Sequence, residues 1–405
     1  IKIDRVNLAE RLCRLTGDGL HRDTLLLGKK PALAESPHPG RVAGQDSIQA
    51  TVHRGKAFWF WGDTLRLEYP LGLFRMAGAT TEIPTAAGGF DPADGIPYEY
   101  FVDKTGFARP MMPLPERPEG VIWIHSVYVV PDKSGRERMI GHYSRRPGLA
   151  PQFEQGIAIY DEKKERFEVA KQFPLDEKWR HPWGHPVAWE DGGKKWILFG
   201  SPTPNVRVPA TVEAACDPSQ YEAFTCRSDA AIDSRPRLDS SGKPEWRWQK
   251  ELPPVDSEQE ARWAKRGALK PDHARFLPVN SADPKERVTL HRGSVRWNAH
   301  RQRWITVVGQ IGGKASHLGE VWYAEAKSPT GPFTKAVKVV THDRQTFYNP
   351  CHHDLFDRDG GRIIHFEGTY TSDFSGNPEK TPRYDYNQMI YRLDLDSPGL
   401  AAAKE

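Results

Sequence analysis

Five times along this chain a run of β-forming residues meets a tight turn and comes back as a second run. Ser47–Arg54 turns through Gly55-Lys56 into Ala57-Phe-Trp-Phe-Trp61, which stops at Gly62-Asp63-Thr64. Val121–Pro131 turns through Lys133-Ser-Gly135 into Arg138–Ser144, and Pro186–Glu190 through Asp191-Gly-Gly193 into Lys195–Ser201. Gly293–Trp297 turns through Asn298-Ala-His300 into Arg303–Gly309, and His353–Phe356 through Asp357–Gly361 into Arg362–Thr371. Period-two alternation closed by Gly, Asn and Asp is the mark of a β-hairpin. Outer hairpins follow in places, as in Gly156–Tyr160 with Arg166–Ala170 and Val321–Ala326 with Val337–Val340. A lone hairpin cannot bury both faces, so five in series predict radial repetition, an all-β five-bladed β-propeller.

Composition agrees with that reading. The 35 Gly and 34 Pro are spread through 405 residues beside 13 Trp, 13 Tyr and 17 Phe, which suits short strands, tight turns and aromatic layers between sheets. The 57 Lys+Arg and 53 Asp+Glu leave a net charge of +4, too weak a field to gather nucleic acid or an anionic membrane. No apolar run approaches the roughly 20 residues that span a bilayer. A start at Ile1 reads as a mature or trimmed chain, and a secreted or periplasmic, monomeric protein is expected. Among four cysteines, Cys216 and Cys226 are placed to close a loop by a bridge, whereas Cys13 and Cys351 read as reduced and buried.

Residues 1–39 form an N-terminal extension expected to pack on a propeller of residues 40–400. Its segment Leu8–Leu15 has the apolar spacing of a helix and ends at Gly17-Asp-Gly19. Blade spacing is interrupted by two long insertions, about 66–118 and about 202–288, which are expected on one face, walling a site.

In a propeller the innermost strand of each blade borders the axial channel, so residues opening those strands converge. Blade by blade these are Asp46, His125, His185, Arg292 with His291, and His353 with Tyr348 and Asn349. Each has a purely structural alternative. Asp46 could cap a turn, His125 could be a hydrogen-bonded core histidine, and Arg292 could be an ion-pair partner. The fork of Arg292 equally suits a uronate or sulfate. In Tyr348-Asn-Pro-Cys-His-His-Asp354, alternation puts His353 on the side of Cys351 and Asn349, so His353 rather than His352 is expected to see the pocket. Glu367 is expected at the pocket rim. Asp63 reads as a turn acceptor, and Trp61, Trp123 and Trp183 as core, with Trp183 the best candidate for a sugar platform. No cofactor is required by any motif; a divalent metal held by imidazoles at the axis is an open alternative, although no HxH or HExxH spacing supports it. No phosphate-cradling Gly loop, Gly-x-Ser-x-Gly elbow or CxxC pair occurs.

Gly44-Gln-Asp46-Ser, Trp59-Phe-Trp-Gly-Asp63-Thr and Ala324-Glu-Ala-Lys-Ser-Pro-Thr-Gly-Pro-Phe333 resemble the five-bladed propeller glycosidases, both the arabinanase-like and the endo-D-arabinanase-type families. The likeness covers about residues 40–396. It implies a glycoside hydrolase in which Asp46 is base or nucleophile. The families' acidic partners on blades two and three have no obvious counterpart; His125 and His185 stand there instead, similar to neoagarobiose-hydrolase-like propellers, in which a His is the acid. The expectation is a carbohydrate-active enzyme with catalytic candidates Asp46, His125, His185, His353 and Glu367, and substrate-binding candidates Arg292, Tyr348, Asn349 and Trp183. Its partner is a polysaccharide or oligosaccharide, acidic or neutral. A polysaccharide lyase using His, Tyr and Arg on a uronate, and a non-catalytic glycan-binding propeller, are the alternatives.

Overall fold

The computed structural model describes residues 5–34, 38–66, 76–84, 89–200, 202–379, 381 and 385–404. Parts of the first insertion, 67–75 and 85–88, and Ser201 at the end of a predicted strand lie outside them.

Five antiparallel sheets follow one another along the chain, each starting from its innermost strand. Blade one is Gln49–His53, Lys56–Phe60, Gly78–Glu82 and Glu99–Tyr100. Blade two is Val121–Pro131, Glu137–Arg146, Glu154–Asp161 and Arg166–Phe173. Blade three runs Val187–Asp191, Lys194–Phe199, Val206–Pro209, Glu222–Thr225 and Arg247–Gln249. Blade four runs Leu290–Asn298, Arg303–Gln310, Val321–Ala326 and Lys335–Val340, to whose outer edge Val279–Asn280 adds in parallel. Blade five is Thr346–His352, Ile363–Thr371, Asn387–Asp394 and, outermost, Glu10–Arg14.

The turns explain why the hairpins form where they do. Arg54-Gly55 and Gly192-Gly193 both have two successive residues at positive φ, the geometry that matches the twist of the strands it joins. The sheets close into a ring because apolar side chains pair between blades. Phe60 packs with Tyr143 and Phe167 between blades one and two, and Tyr128 with Phe199 between two and three. Phe224 meets Trp322 between three and four, Val307 and Tyr323 meet Phe347 and Tyr391 between four and five, and Trp59 meets Ile390 between five and one. The long segments between the hairpins supply outer strands. Residues 202–288 supply three strands of blade three, the helix Ser257–Lys265 and the parallel edge of blade four. Among the described residues no helix is long and apolar enough to cross a membrane.

Three expectations are corrected. The helical spacing of Leu8–Leu15 is realised as the strand Glu10–Arg14, paired antiparallel with Asn387–Asp394. A helix of that length is marginal by itself, whereas the open edge of the last blade offers a full row of hydrogen-bonding groups, and a bulge between Arg11 and Cys13 lets both Leu12 and Cys13 reach the core. The innermost strand of blade five is Thr346–His352; His353 follows its end, and Asp354–Phe356 is a 3-10 turn. All four cysteines are free. Cys216 packs in the layer between blades two and three and Cys226 around Trp263, so the two thiols belong to different clusters.

Candidate active site

Three of the five innermost strands, those of blades two, four and five, depart from regular pairing near their start. Register shifts fall between His125 and Tyr128, between Leu290 and Gly293, and between Tyr348 and Cys351, and Ser47, Ser126 and Asn349 take positive φ. Bulges re-aim side chains, and left-handed non-glycine residues concentrate where a site over-determines them. Polar groups from all five blades face one cavity of about 520 Å³, lined among others by Asp46, His125, His185, Arg292, Tyr348 and Asn349. Trp183 lines it too, so the convergence expected across five blades is present for these seven residues.

Asp46 sits at its centre of polarity. Its Oδ1 accepts the Asp63 N–H at 2.8 Å, its Oδ2 accepts the Tyr348 hydroxyl at 2.8 Å, and the Tyr386 hydroxyl also donates to it. Asp63 accepts only the indole N–H of Trp123, at 2.7 Å, among the described residues. Burial raises the pKa of both acids, and the Asp46 charge adds to the rise at Asp63, to about 7. Two such neighbours do not both ionise at neutral pH. Because Asp46 has more donors than Asp63, the pair's negative charge rests on Asp46 and its retained proton on Asp63.

The histidines are not equivalent. His125 stacks on Trp183 at 3.6 Å between centroids, and its Nε2 meets Ser144 Oγ at 3.0 Å. Burial first, then His181, Arg146 and Arg292, hold its pKa well below the ordinary value, so its ring is neutral. One face of Trp183 is thereby occupied, and the Arg292 and Arg146 guanidinium carbons lie 4.7 and 5.3 Å from the same ring centroid. His185 follows Gly184, whose φ of +123° and close approach to Gly200 only glycine accommodates. Its Nδ1 lies 3.3 Å from Cys351 Sγ, and its Nε2 makes no hydrogen bond with the protein among the described residues. Asn349 is tied to Ser47 at 2.6 Å, which joins the last blade to the first beside Asp46.

Two expected site residues do not reach this cavity. Glu367 is fully buried, without solvent contact, and His353 is 2 % exposed, their side chains joined at 2.7 Å. Cys351 Sγ, 3.9 Å from His353 Nδ1, links this pair to His185. Burial opposes the charge of His353, but Cys351 and Glu367 raise its pKa to about 10; burial raises the Cys351 thiol, but His185 and His353 bring it well below the usual value. The cause of the misplacement is the bulge at Asn349-Pro350, which breaks the alternation that would have set Asn349, Cys351 and His353 on one side. His353 instead borders a second cavity of about 340 Å³ toward the other end of the inner strands, with His352, Arg296 and Tyr128. His291 is half-buried, and burial and Arg292 lower its pKa to about 4. Among the described residues no three His, Cys, Asp or Glu side chains are grouped to hold a metal ion.

Sequence reasoning assigned Asp63 to a turn and passed over Tyr386, Asp373 and Arg146. Asp63 carried a signal, a second Asp ending the hairpin that Asp46 precedes. Tyr386 and Asp373 come from the long connection in blade five and carried none.

No family model and no curated protein matches this chain. Among solved structures it is similar to a family 43 glycoside hydrolase from Bacillus licheniformis, at 12 % identity over 87 % of this chain and 71 % of that one, with a TM-score of 0.40. An exo-1,5-α-L-arabinanase from a bovine ruminal metagenomic library is similar at 9 % identity over 88 % and 95 %, with a TM-score of 0.41. An endo-1,5-α-L-arabinanase from Thermotoga petrophila RKU-1 is similar at 13 % identity over 89 % and 73 %, with a TM-score of 0.42. The five-bladed fold of this chain rests on its own strand order and inter-blade packing.

Proposed function

We propose that the protein is a glycoside hydrolase acting on a polysaccharide or oligosaccharide in the axial cavity. The observation that carries this reading is a cavity-lining carboxylate, Asp46, held by the Asp63 backbone N–H and by the Tyr348 and Tyr386 hydroxyls, with a second acid, Asp63, beside it; burial raises the pKa of both. Asp46, steadied by Tyr348 and Tyr386, acts as general base on water or as nucleophile at the anomeric carbon. Asp63, whose backbone N–H bonds Asp46 Oδ1 and whose pKa the Asp46 charge raises, has the part of tuning Asp46. The departing oxygen takes its proton from His185, whose Nε2 is uncommitted, while Cys351 fixes the ring from behind. His125, neutral and bonded to Ser144, is unsuited to be the acid and supports the Trp183 wall.

The test is product analysis with arabinans and with uronate-containing and sulfated polysaccharides, comparing the natural protein with Asp46→Asn. Loss of a positioned base costs on the order of 10²–10⁴ in rate. Full activity in a folded Asp46→Asn protein refutes the assignment.

One observation favours a second reading, β-elimination: Arg292 has no carboxylate partner among the described residues and suits neutralising a uronate. Its base would be His185, since the Tyr348 hydroxyl is committed to Asp46. Elimination leaves ultraviolet-absorbing unsaturated ends and hydrolysis does not.

A further inference from the structure

The cavity is electrically divided. Asp46, Asp63 and Asp373 line it, and Arg292 lines it as well. Behind Arg292's side stands Arg146, the last residue of the second strand of blade two, with its guanidinium carbon 5.0 Å from the Trp123 ring centroid and 5.3 Å from that of Trp183. Neither arginine has a carboxylate partner among the described residues. Arg146 donates to the side-chain oxygen of Gln152 at 2.6 Å, and its Nε is buried without a partner. Arg292 rides on the Trp183 face, placed there by the bulge between Leu290 and Gly293.

Burial, and then repulsion between two guanidinium groups within 5.3 Å of one indole centroid, lower the pKa of Arg292 to about 10. A guanidinium stays charged at neutral pH, so this arrangement is not relieved by losing a proton. Elsewhere in this protein arginines in comparable surroundings are matched: Arg145 with Glu154, Arg207 with Glu222, Arg301 with Glu325. Two other arginines without a carboxylate partner among the described residues are held by neutral oxygens, Arg227 by Ala231, Ser234 and Gln259 and Arg275 by the Thr330 and Gly331 carbonyls; among the described residues Arg292 has neither kind of partner and faces the cavity beside an aromatic ring.

We propose that Arg292, backed by Arg146 across Trp183, forms a subsite for the carboxylate or sulfate group of an acidic sugar. This rests on the cavity being the carbohydrate site argued above, and it names the substrate class. The fork of Arg292 presents paired N–H donors to a planar carboxylate or a sulfate. Arg146 supplies a second positive charge at short range, and the sugar's other end then lies toward Asp46.

Titration calorimetry of the whole chain with glucuronic acid, glucose 6-sulfate and glucose tests it. At least one charged sugar binds about tenfold or more tighter than glucose, and the advantage shrinks as salt is added. Arg292→Met abolishes the advantage and leaves the melting temperature equal or higher, because a buried uncompensated charge has gone. Arg146→Met reduces the same advantage by a smaller factor. Charged sugars that bind no tighter than glucose, or not at all, overturn the proposal, as does an Arg292→Met protein that keeps the preference. If charged sugars bind as described but Asp46→Asn cleaves glycans as well as the natural protein, the hydrolase reading falls and the anion subsite stands. If Asp46-dependent cleavage is found with neutral glycans and no charge preference, the reverse holds.

Discussion

Tyr348 donates its hydroxyl hydrogen to Asp46 Oδ2 across 2.8 Å, although 302 residues separate the two. This bond spans the junction between the last and first blades, so ring closure delivers one of the donors that favour the ionised form of Asp46. Tyr348→Phe removes a charge-assisted hydrogen bond of about 1.5–3 kcal/mol, which raises the proton affinity of the Asp46–Asp63 pair by roughly 1–2 pH units. Carboxyl carbon NMR titration and the acidic limb of the pH–rate profile both move upward. An unchanged titration means that the bond does not stabilise the carboxylate.

Asp63 makes stability depend on pH. Its folded pKa, about 7, lies above the ordinary 3.8, so the folded chain keeps a proton that the unfolded chain has released between those values. Stability from this group is therefore complete below the unfolded pKa and is lost as pH rises toward 7, by at most about 4 kcal/mol, less what solvent in the cavity screens. Asp63→Asn, which still accepts from Trp123, does not titrate. Thermal melts of the two proteins coincide near the lower limit and separate at pH 8, with the Asn protein the more stable. Parallel curves contradict the shift.

Glu367 and His353 form a buried ion pair whose second Glu367 oxygen has no partner among the described residues. Glu367→Ala strands the His353 charge and costs roughly 3–5 kcal/mol in denaturant unfolding. The acidic limb of the pH–rate profile, set by Asp46 and Asp63, stays where it was. A stable Glu367→Ala protein that has lost its activity would restore Glu367 to the catalytic set.

Gly184 separates Trp183 from His185, at φ +123° with its α-carbon against the Gly200 backbone. A methyl group there collides with Gly200 and demands a backbone conformation that L-residues avoid. Gly184→Ala destabilises by about 1–3 kcal/mol or more and displaces both neighbours, so it weakens sugar binding and shifts tryptophan fluorescence together. Normal binding with unchanged fluorescence argues against the rigidity of this loop.

Local chemistry determined much of this protein. Gly192-Gly193 and Arg54-Gly55 specify hairpins whatever surrounds them, and alternation between such turns is sufficient to bring Asp46, His125, His185, Arg292 and Tyr348 to the openings of successive inner strands. Tertiary structure decided the rest, because it depends on partners far away in the chain. The spacing of Leu8, Leu12 and Leu15 fits a helix until the edge of Asn387–Asp394 is there to pair with, and His353 alternates with Asn349 until a bulge against Ile363–Thr371 adds a residue. Packing also hid Asp63 and Arg146. An acid at the end of a hairpin is an ordinary turn residue, and an arginine ending a strand is an ordinary surface residue; pairing of Val42–Gln45 with Thr64–Arg66 sets one against Asp46 and packing of the next blade sets the other over Trp183, where burial and neighbouring charge change what each can do.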